Sequence, residues 1–246
     1  MKKICCALLT ALALPLFADD PVVIPRPKVR VNKVADFRFS DGIDHPAWKS
    51  QPSYPFMLYV TDVNEIGRAP VESGRVQYLY DDTHFYVRAH FTDTEVMTTA
   101  TKNGDHFYIQ GDLLEVFIKH GPTPYYWEIY GTPNKLHTRF YFPSRGTLGL
   151  PSGFAPNGCP ILVDAKVDGT FNDPADKDRS WTALVGVPRT ELEKNGATFG
   201  SGNRWLVLAA RYNYCRYLPD RELSSFPQIT GGYHSHEYYA EMEFVE

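Results

Sequence analysis

Residues 112–131, DLLEVFIKHGPTPYYWEIYG, read as two strands around a short Gly/Pro turn. Each strand carries one carboxylate among apolar and aromatic neighbours, Glu115 and Glu128. With the turn centred on Pro122, the two acids face each other across the ladder. Like charges directly opposite in an antiparallel pair are destabilising. Such a placement calls for a cation, a shared proton or a ligand, and Arg211 or Arg139 is the expected basic partner. A slip of one residue would turn one acid to the other face of the sheet.

Other residues have types suited to chemistry. The run HSH reads as a turn with surface histidines; the alternative is a pair, His234 and His236, on one strand face, suited to zinc or copper. The run DDT, Asp81 to Thr83, reads as a turn, with calcium as the alternative. Cys159 and Cys215 are expected to form one disulfide in an oxidising compartment; two buried thiols are the competing reading. The sequence contains neither a phosphate-binding glycine loop nor a Gly-x-Ser-x-Gly motif.

The elements that must position these groups are strands. Period-two alternation bounded by Gly, Pro, Asn and Asp recurs in RVQYLYD, THFYVRAHF, DLLEVFIKH, YYWEIYG and KLHTRFYF. It continues in ILVDAKVDG, SWTALVGVP, RWLVLAARYNY and YYAEMEFVE. One short helix is expected at RTELEKNG, with Thr190 as its cap and Gly196 as its stop. This pattern predicts an all-β antiparallel sandwich, immunoglobulin- or jelly-roll-like, over residues 36–246. Residues 19–35, rich in Pro, read as an extended lead-in, either linker or edge strand. Lys2, Lys3 and the apolar run that follows read as a secretory signal over residues 1–18, which places the protein outside the cytoplasm or at the cell surface. No later stretch is long and apolar enough for a membrane helix.

Composition agrees. Of 246 residues, 43% are apolar and 22% charged, enough for a packed core. Aromatics make up 14%, which suits strands and ligand platforms. The net charge of −4 and the absence of a basic patch argue against a nucleic-acid partner.

Several motifs follow one another in a definite order. DGIDHPAWKSQP carries an opening Asp-Gly turn and a Trp, through Asp41, Gly42 and Trp48. YLYDDTHFYVRAHFTDTEV supplies a strand, an Asp turn and a strand ending at Asp93. GDLLEVFI matches an Asp-x-x-Glu-x-Phe strand through Asp112, Glu115 and Phe117, and the next strand and turn match through Tyr126, Glu128 and Pro133. SWTALVGVPRTEL matches a late strand running into a short helix, and RWLVLAARYNY a Trp-to-Arg strand. A closing His-x-x-Glu follows at His234 and Glu237. In order and spacing these motifs resemble the family 9 carbohydrate-binding-module-like domains, over nearly the whole chain after residue 36. The resemblance implies a DOMON-like β-sandwich that binds sugars, often serving glycan-degrading enzymes and sometimes holding structural calcium.

The sequence also departs from that family. Sugar-binding members clamp the ligand between two Trp rings. Before the Asp-x-x-Glu strand this chain has HFYIQGD, with Phe107 and Tyr108; after the Arg strand it has SSFPQ, with Phe226. A sugar needs rings against its C–H faces and polar groups around its rim. Tyr108, Trp127 and Phe226 are the candidate faces; Glu115, Glu128, Arg139, Arg211 and Asn213 are the candidate rim. Trp127 alternates with Glu128, so one of them faces the core. Trp48, Trp181 and Trp205 are expected to be packing residues. The sequence therefore reads as a non-catalytic carbohydrate-binding domain. The alternatives are a glycoside hydrolase using Glu115 and Glu128, or a cell-surface module whose sugar site has decayed. For the hydrolase, a direct cross-strand pair has Cβ atoms roughly 4.5–5.5 Å apart, within reach of the ~5–5.5 Å carboxyl spacing of a retaining site.

Overall fold

The alternating segments become strands in a computed structural model that describes residues 26–35, 37–148 and 160–246. In chain order they are β1 (Lys28–Lys33), β2 (Tyr54–Pro55), β3 (Met57–Leu58), β4 (Gly74–Tyr80), β5 (His84–Thr92), β6 (Leu113–His120) and β7 (Tyr126–Gly131). There follow β8 (His137–Phe142), β9 (Leu162–Asp168), β10 (Ser180–Pro188), β11 (Trp205–Asn213), β12 (Glu222–Phe226) and β13 (Ala240–Val245). The helix α1 is short, Arg189–Glu193, and is preceded by Pro188 at the cap position rather than Thr190. Gly196, at φ +86°, donates its N–H to the Glu193 carbonyl and ends the turn that follows.

The strands are ordered β8-β7-β6-β11-β13-β1-β4-β5-β10-β9. One layer is β8-β7-β6-β11 and the other is β4-β5-β10-β9. They enclose a core in which Val116, Ile118, Trp127, Ile129 and Val207 of the first meet Val76, Val87, Ala89, Trp181 and Val185 of the second. Burying one such aliphatic side chain is worth about 1.5–3 kcal/mol, and this shared interior holds the layers together. At one end β13 and β1 join them. At the other, β12 pairs with β11 and β3, while β2 pairs with β4, so the sheet almost closes on itself.

Two features differ from the sequence reading. The lead-in contains an interior strand instead of a linker or edge strand. β1 lies between β13 and β4 and runs parallel to both, so strand pairing begins ahead of residue 36 and the sandwich is not wholly antiparallel. Alternation could not reveal β12, whose five residues ELSSF carry three polar groups. Residues 1–18 and Cys159 lie outside the described residues; Cys215 is a buried thiol 3.2 Å from the Thr94 hydroxyl. Trp48, Trp181 and Trp205 are buried packing residues.

Each layer also has an outer face. That of the β4-β5-β10 layer is covered by the short turns over Phe39–Asp44 and Pro46–Ser50, through Ile43 and Trp48 against Leu79, Tyr86 and Leu184. The outer face of β6, β7, β8 and β11 carries Phe117, Tyr130, Phe140, Phe142, Leu208 and Ala210, partly covered by Phe107, Ile229, Tyr233 and Tyr239 from loops. That cover is incomplete, and the gap is the candidate site.

Candidate functional site

The site is built on the β6–β7 hairpin. At its start Gly111 has φ +142°, and a Cβ there would lie 2.4 Å from the Met97 carbonyl, so only glycine lets the preceding loop pass this close. Asp112 then accepts hydrogen bonds from the backbone N–H groups of Met97 (2.7 Å) and Tyr214 (2.8 Å). The first acid of the Asp-x-x-Glu motif thus ties two loops to the strand and fixes where Glu115 emerges. Burial, and then the neighbouring Asp93, raises its pKa well above the ordinary range.

The hairpin register corrects the expectation of directly opposed acids. Glu115 pairs with Tyr130, and Phe117 pairs with Glu128. The slip is two residues, which preserves the face: Glu115 and Glu128 are diagonal neighbours on the same outer surface. The expected basic partner is also corrected. Arg211 sits in the interior, fully buried, 2.8 Å from Asp93 and over the ring of Phe91. Arg139 bridges to Glu191 of α1 at 3.1 Å. Both alternate with outward-facing neighbours, so their side chains leave on the inner side of the sheet.

The cavity encloses about 340 Å³ and is lined by Glu115, Glu128, Phe117, Tyr130, Phe140 and Phe142 on the strands. Tyr212 of β11 borders it too, while His106, Tyr108, Leu148, Tyr233 and His234 supply its rim from loops. Its volume lies at the lower end of the about 300–1,000 Å³ usual for small-molecule sites. The Tyr130 hydroxyl donates to Glu128 Oε1 in a short hydrogen bond. His234 Nε2 is 4.0 Å from Glu128 Oε2, too far for a hydrogen bond. The Tyr126 hydroxyl accepts from the Gly146 N–H at 3.0 Å, so its own hydrogen is available to His234 Nδ1, 2.7 Å away. Burial keeps His234 below the usual imidazole range, so it is neutral at pH 7.

The two carboxyls therefore share a poorly hydrated site. Burial, and then the proximity of Glu128, raises Glu115 well above the ordinary range. Burial pushes Glu128 up to about 7, against the stabilising Tyr130 hydroxyl. Near neutrality the pair retains a proton, which answers the like-charge problem posed by the sequence.

Of the eight residues selected from sequence, Tyr108, Glu115 and Glu128 border this cavity. The other five lie elsewhere. Trp127 is in the interior with its indole N–H donating to Glu191 at 3.0 Å. Arg139 and Arg211 occupy the ion pairs just described. Asn213 donates to Glu72 at 2.7 Å in the Arg211 cluster. Phe226 stacks on Tyr54, with ring centroids 4.9 Å apart. The cavity residues that were not selected include Phe117 and Tyr130, each two positions from a chosen acid. Tyr212 and Phe140, each next to a chosen arginine, were missed as well. The period-two rule applied along the strands from Glu115 and Glu128 finds the first two; the other two follow from the cross-strand pairs Glu128 with Phe140 and Glu115 with Ala210. His236 begins a short turn, and Asp81 accepts from Thr83 and His84 within its own turn. Among the described residues no cluster of three or more His, Cys, Asp or Glu has the arrangement of a metal site.

No family model matches the sequence, and no curated protein matches it. Solved structures do. A protein from Bacteroides uniformis described as a "putative carbohydrate-binding protein" superposes with a TM-score of 0.64 at 10% identity, covering 89% of this chain and 100% of its own. A family 9 carbohydrate-binding module from Caldicellulosiruptor kristjanssonii, solved with cellotriose, gives 0.57 at 10% identity over 89% of this chain and 93% of its own. A family 9 module from the same organism, solved with glucose, gives 0.56 at 10% identity, over 87% and 95%. The fold is family 9-like. Within this family 9-like sandwich, the cavity has Tyr108 on its rim, whereas Phe226 is packed away from it. The two positions read from sequence as a changed aromatic clamp therefore do not form one clamp here.

Proposed function

We propose that this protein is a non-catalytic carbohydrate-binding domain whose ligand enters the cavity over Glu115 and Glu128. The observation that carries the reading is the composition of that cavity. Two carboxyls able to accept hydroxyl hydrogens lie on a floor of Phe117, Tyr130 and Phe140, beside Tyr212. Such a surface suits a ring with apolar faces and a hydroxylated rim. The family 9-like fold, shared with modules solved with cellotriose and glucose, supports it. The signal-like residues 1–18 and the motif order favour an exported protein that serves glycan degradation outside the cytoplasm. Among the described residues no helix is long and apolar enough to cross a membrane.

Titration calorimetry with glucose and with cello-, xylo- and chito-oligosaccharides tests the reading. At least one is expected to bind saturably, and Glu115→Gln should weaken it. A panel in which none binds would refute the proposal. The catalytic alternative draws on one observation, a buried carboxyl pair with Glu128 near 7. It requires release of reducing sugar that disappears in both Glu115→Gln and Glu128→Gln. We expect no such release.

A further inference from the structure

We infer that the ligand carries a protonated amine, and that the cavity takes a 2-amino sugar or a chain of them with its ammonium group seated between Glu115 and Glu128. The inference rests on the carbohydrate reading and deepens it. Glu115 is 2% exposed and Glu128 5%. A buried acid is ordinarily matched by a cation or by several donors, yet these two have one hydroxyl between them. The single hydrogen of Tyr130 goes to Glu128, and the same hydroxyl lies close enough to Glu115 to stabilise its charge, so among the described residues Glu115 faces the cavity with no donor that it does not share. Among the described residues lining the cavity there is no lysine or arginine. Residues 149–159, GLPSGFAPNGC, contain none in their sequence.

The basic side chains around the site are committed elsewhere. Arg145 pairs with Glu237 at 2.7 Å. Arg221 bonds the Tyr214 hydroxyl at 2.9 Å and lies over the Tyr212 ring, 5.2 Å from its centroid. The Lys119 ammonium is held by carbonyls of the hairpin turn, including those of His120 and Gly121 at 3.0 Å. The neutral His234 ring has Nε2 4.0 Å from Glu128, beyond hydrogen-bond range.

An ammonium group supplies what is missing. It offers three donors, two carboxyls can each accept at least one, and the remaining contact is with aromatic faces, which attract cations in desolvated sites. The same geometry disfavours an acidic sugar, whose carboxylate would meet two acids with no arginine to receive it.

The experiment measures binding of four monosaccharide probes at neutral pH: glucosamine, N-acetylglucosamine, glucose and glucuronate. The inference expects glucosamine to bind about tenfold or more tighter than N-acetylglucosamine and glucose, as a charge-assisted contact implies, and glucuronate not to bind. Glu115→Gln and Glu128→Gln, which keep the side-chain shape, should collapse the preference for glucosamine while leaving the circular dichroism spectrum unchanged. If glucose or N-acetylglucosamine binds as well as glucosamine, the inference is overturned and the carbohydrate reading stands. If a preference for glucosamine survives both substitutions, the amine is recognised elsewhere and the inference is overturned. If none of the four binds and chito-oligosaccharides fail too, the inference is overturned, and the carbohydrate reading falls with it only if cello- and xylo-oligosaccharides also fail to bind.

Discussion

Two groups of buried acids lie on opposite sides of the β6-β7-β11 layer, and they are built differently. On the inner face, Asp93 and Glu72 surround Arg211, whose guanidinium bonds Asp93 at 2.8 Å and the Glu72 backbone carbonyl at 3.0 Å. Asn213 adds a hydrogen bond to Glu72. Burial still raises Asp93 to about 6, but Arg211 opposes the rise. On the outer face, Glu115 and Glu128 have no such cation among the described residues. The inner group has a cation supplied by the chain itself. The outer group is completed only by a retained proton or by something that enters the cavity. Burial alone thus does not distinguish a structural acid from a functional one; the presence of a partner does.

The largest effect should come from undoing the inner group. Arg211→Ala leaves two acids buried without compensation, and unfolding free energy should fall by about 3–5 kcal/mol, read from urea denaturation. A loss near zero would mean that the two acid groups are not different in kind.

The outer group should show itself through pH. The folded pKa of Glu128 is about 7, above its ordinary 4.5. The native state therefore binds more protons than the unfolded one, and stability falls as pH rises from about 4.5 to about 7. Denaturation of the protein and of Glu128→Gln across that window should diverge by an amount on the order of 3 kcal/mol, with the substituted protein the more stable at the upper end. Parallel profiles would place Glu128 among ordinary surface carboxylates.

Ligand affinity is the next test. Glu115→Gln should cost about 1.5–3 kcal/mol of binding to whichever saccharide is bound, through lost charge-assisted hydrogen bonds. Its folding stability should not fall, because the like-charge contact with Glu128 is removed. The smallest change is expected at Phe226. It is packed against Tyr54 outside the cavity, so Phe226→Leu should alter affinity by less than about 0.5 kcal/mol. A larger loss would move the binding surface toward β12.

Legibility in the sequence followed the same division. Strands β4 through β11 announced themselves by alternation because each has one face against the interior and one against a second, partial cover. The short strands β2 and β3 did not, since two residues cannot display a period. The two glutamates were legible as a pair because a register slip of two conserves the face. The partners were not: charge alone suggested Arg211 and Arg139, while their odd-even position relative to Tyr212 and Phe140 already sent them to the other side. The loop residues His106, Tyr233 and His234 reach the cavity through the folding-over of distant segments, and no local pattern encodes that.

The pairing of β1 has a consequence for how the molecule forms. Its parallel register joins Lys28 to Glu241 and Asn32 to Val245, so the first described strand has the last one as its main neighbour; with β4 it shares only the pairs at Asn32 and Lys33. Contacts between such distant parts of a chain impose a high loop-closure cost and slow folding. During synthesis the early strand must wait, unpaired along most of its length, until β13 has emerged. The hairpin bearing Glu115 and Glu128 can form well before then. The seam between the layers is accordingly the step at which a partly made chain becomes a finished one.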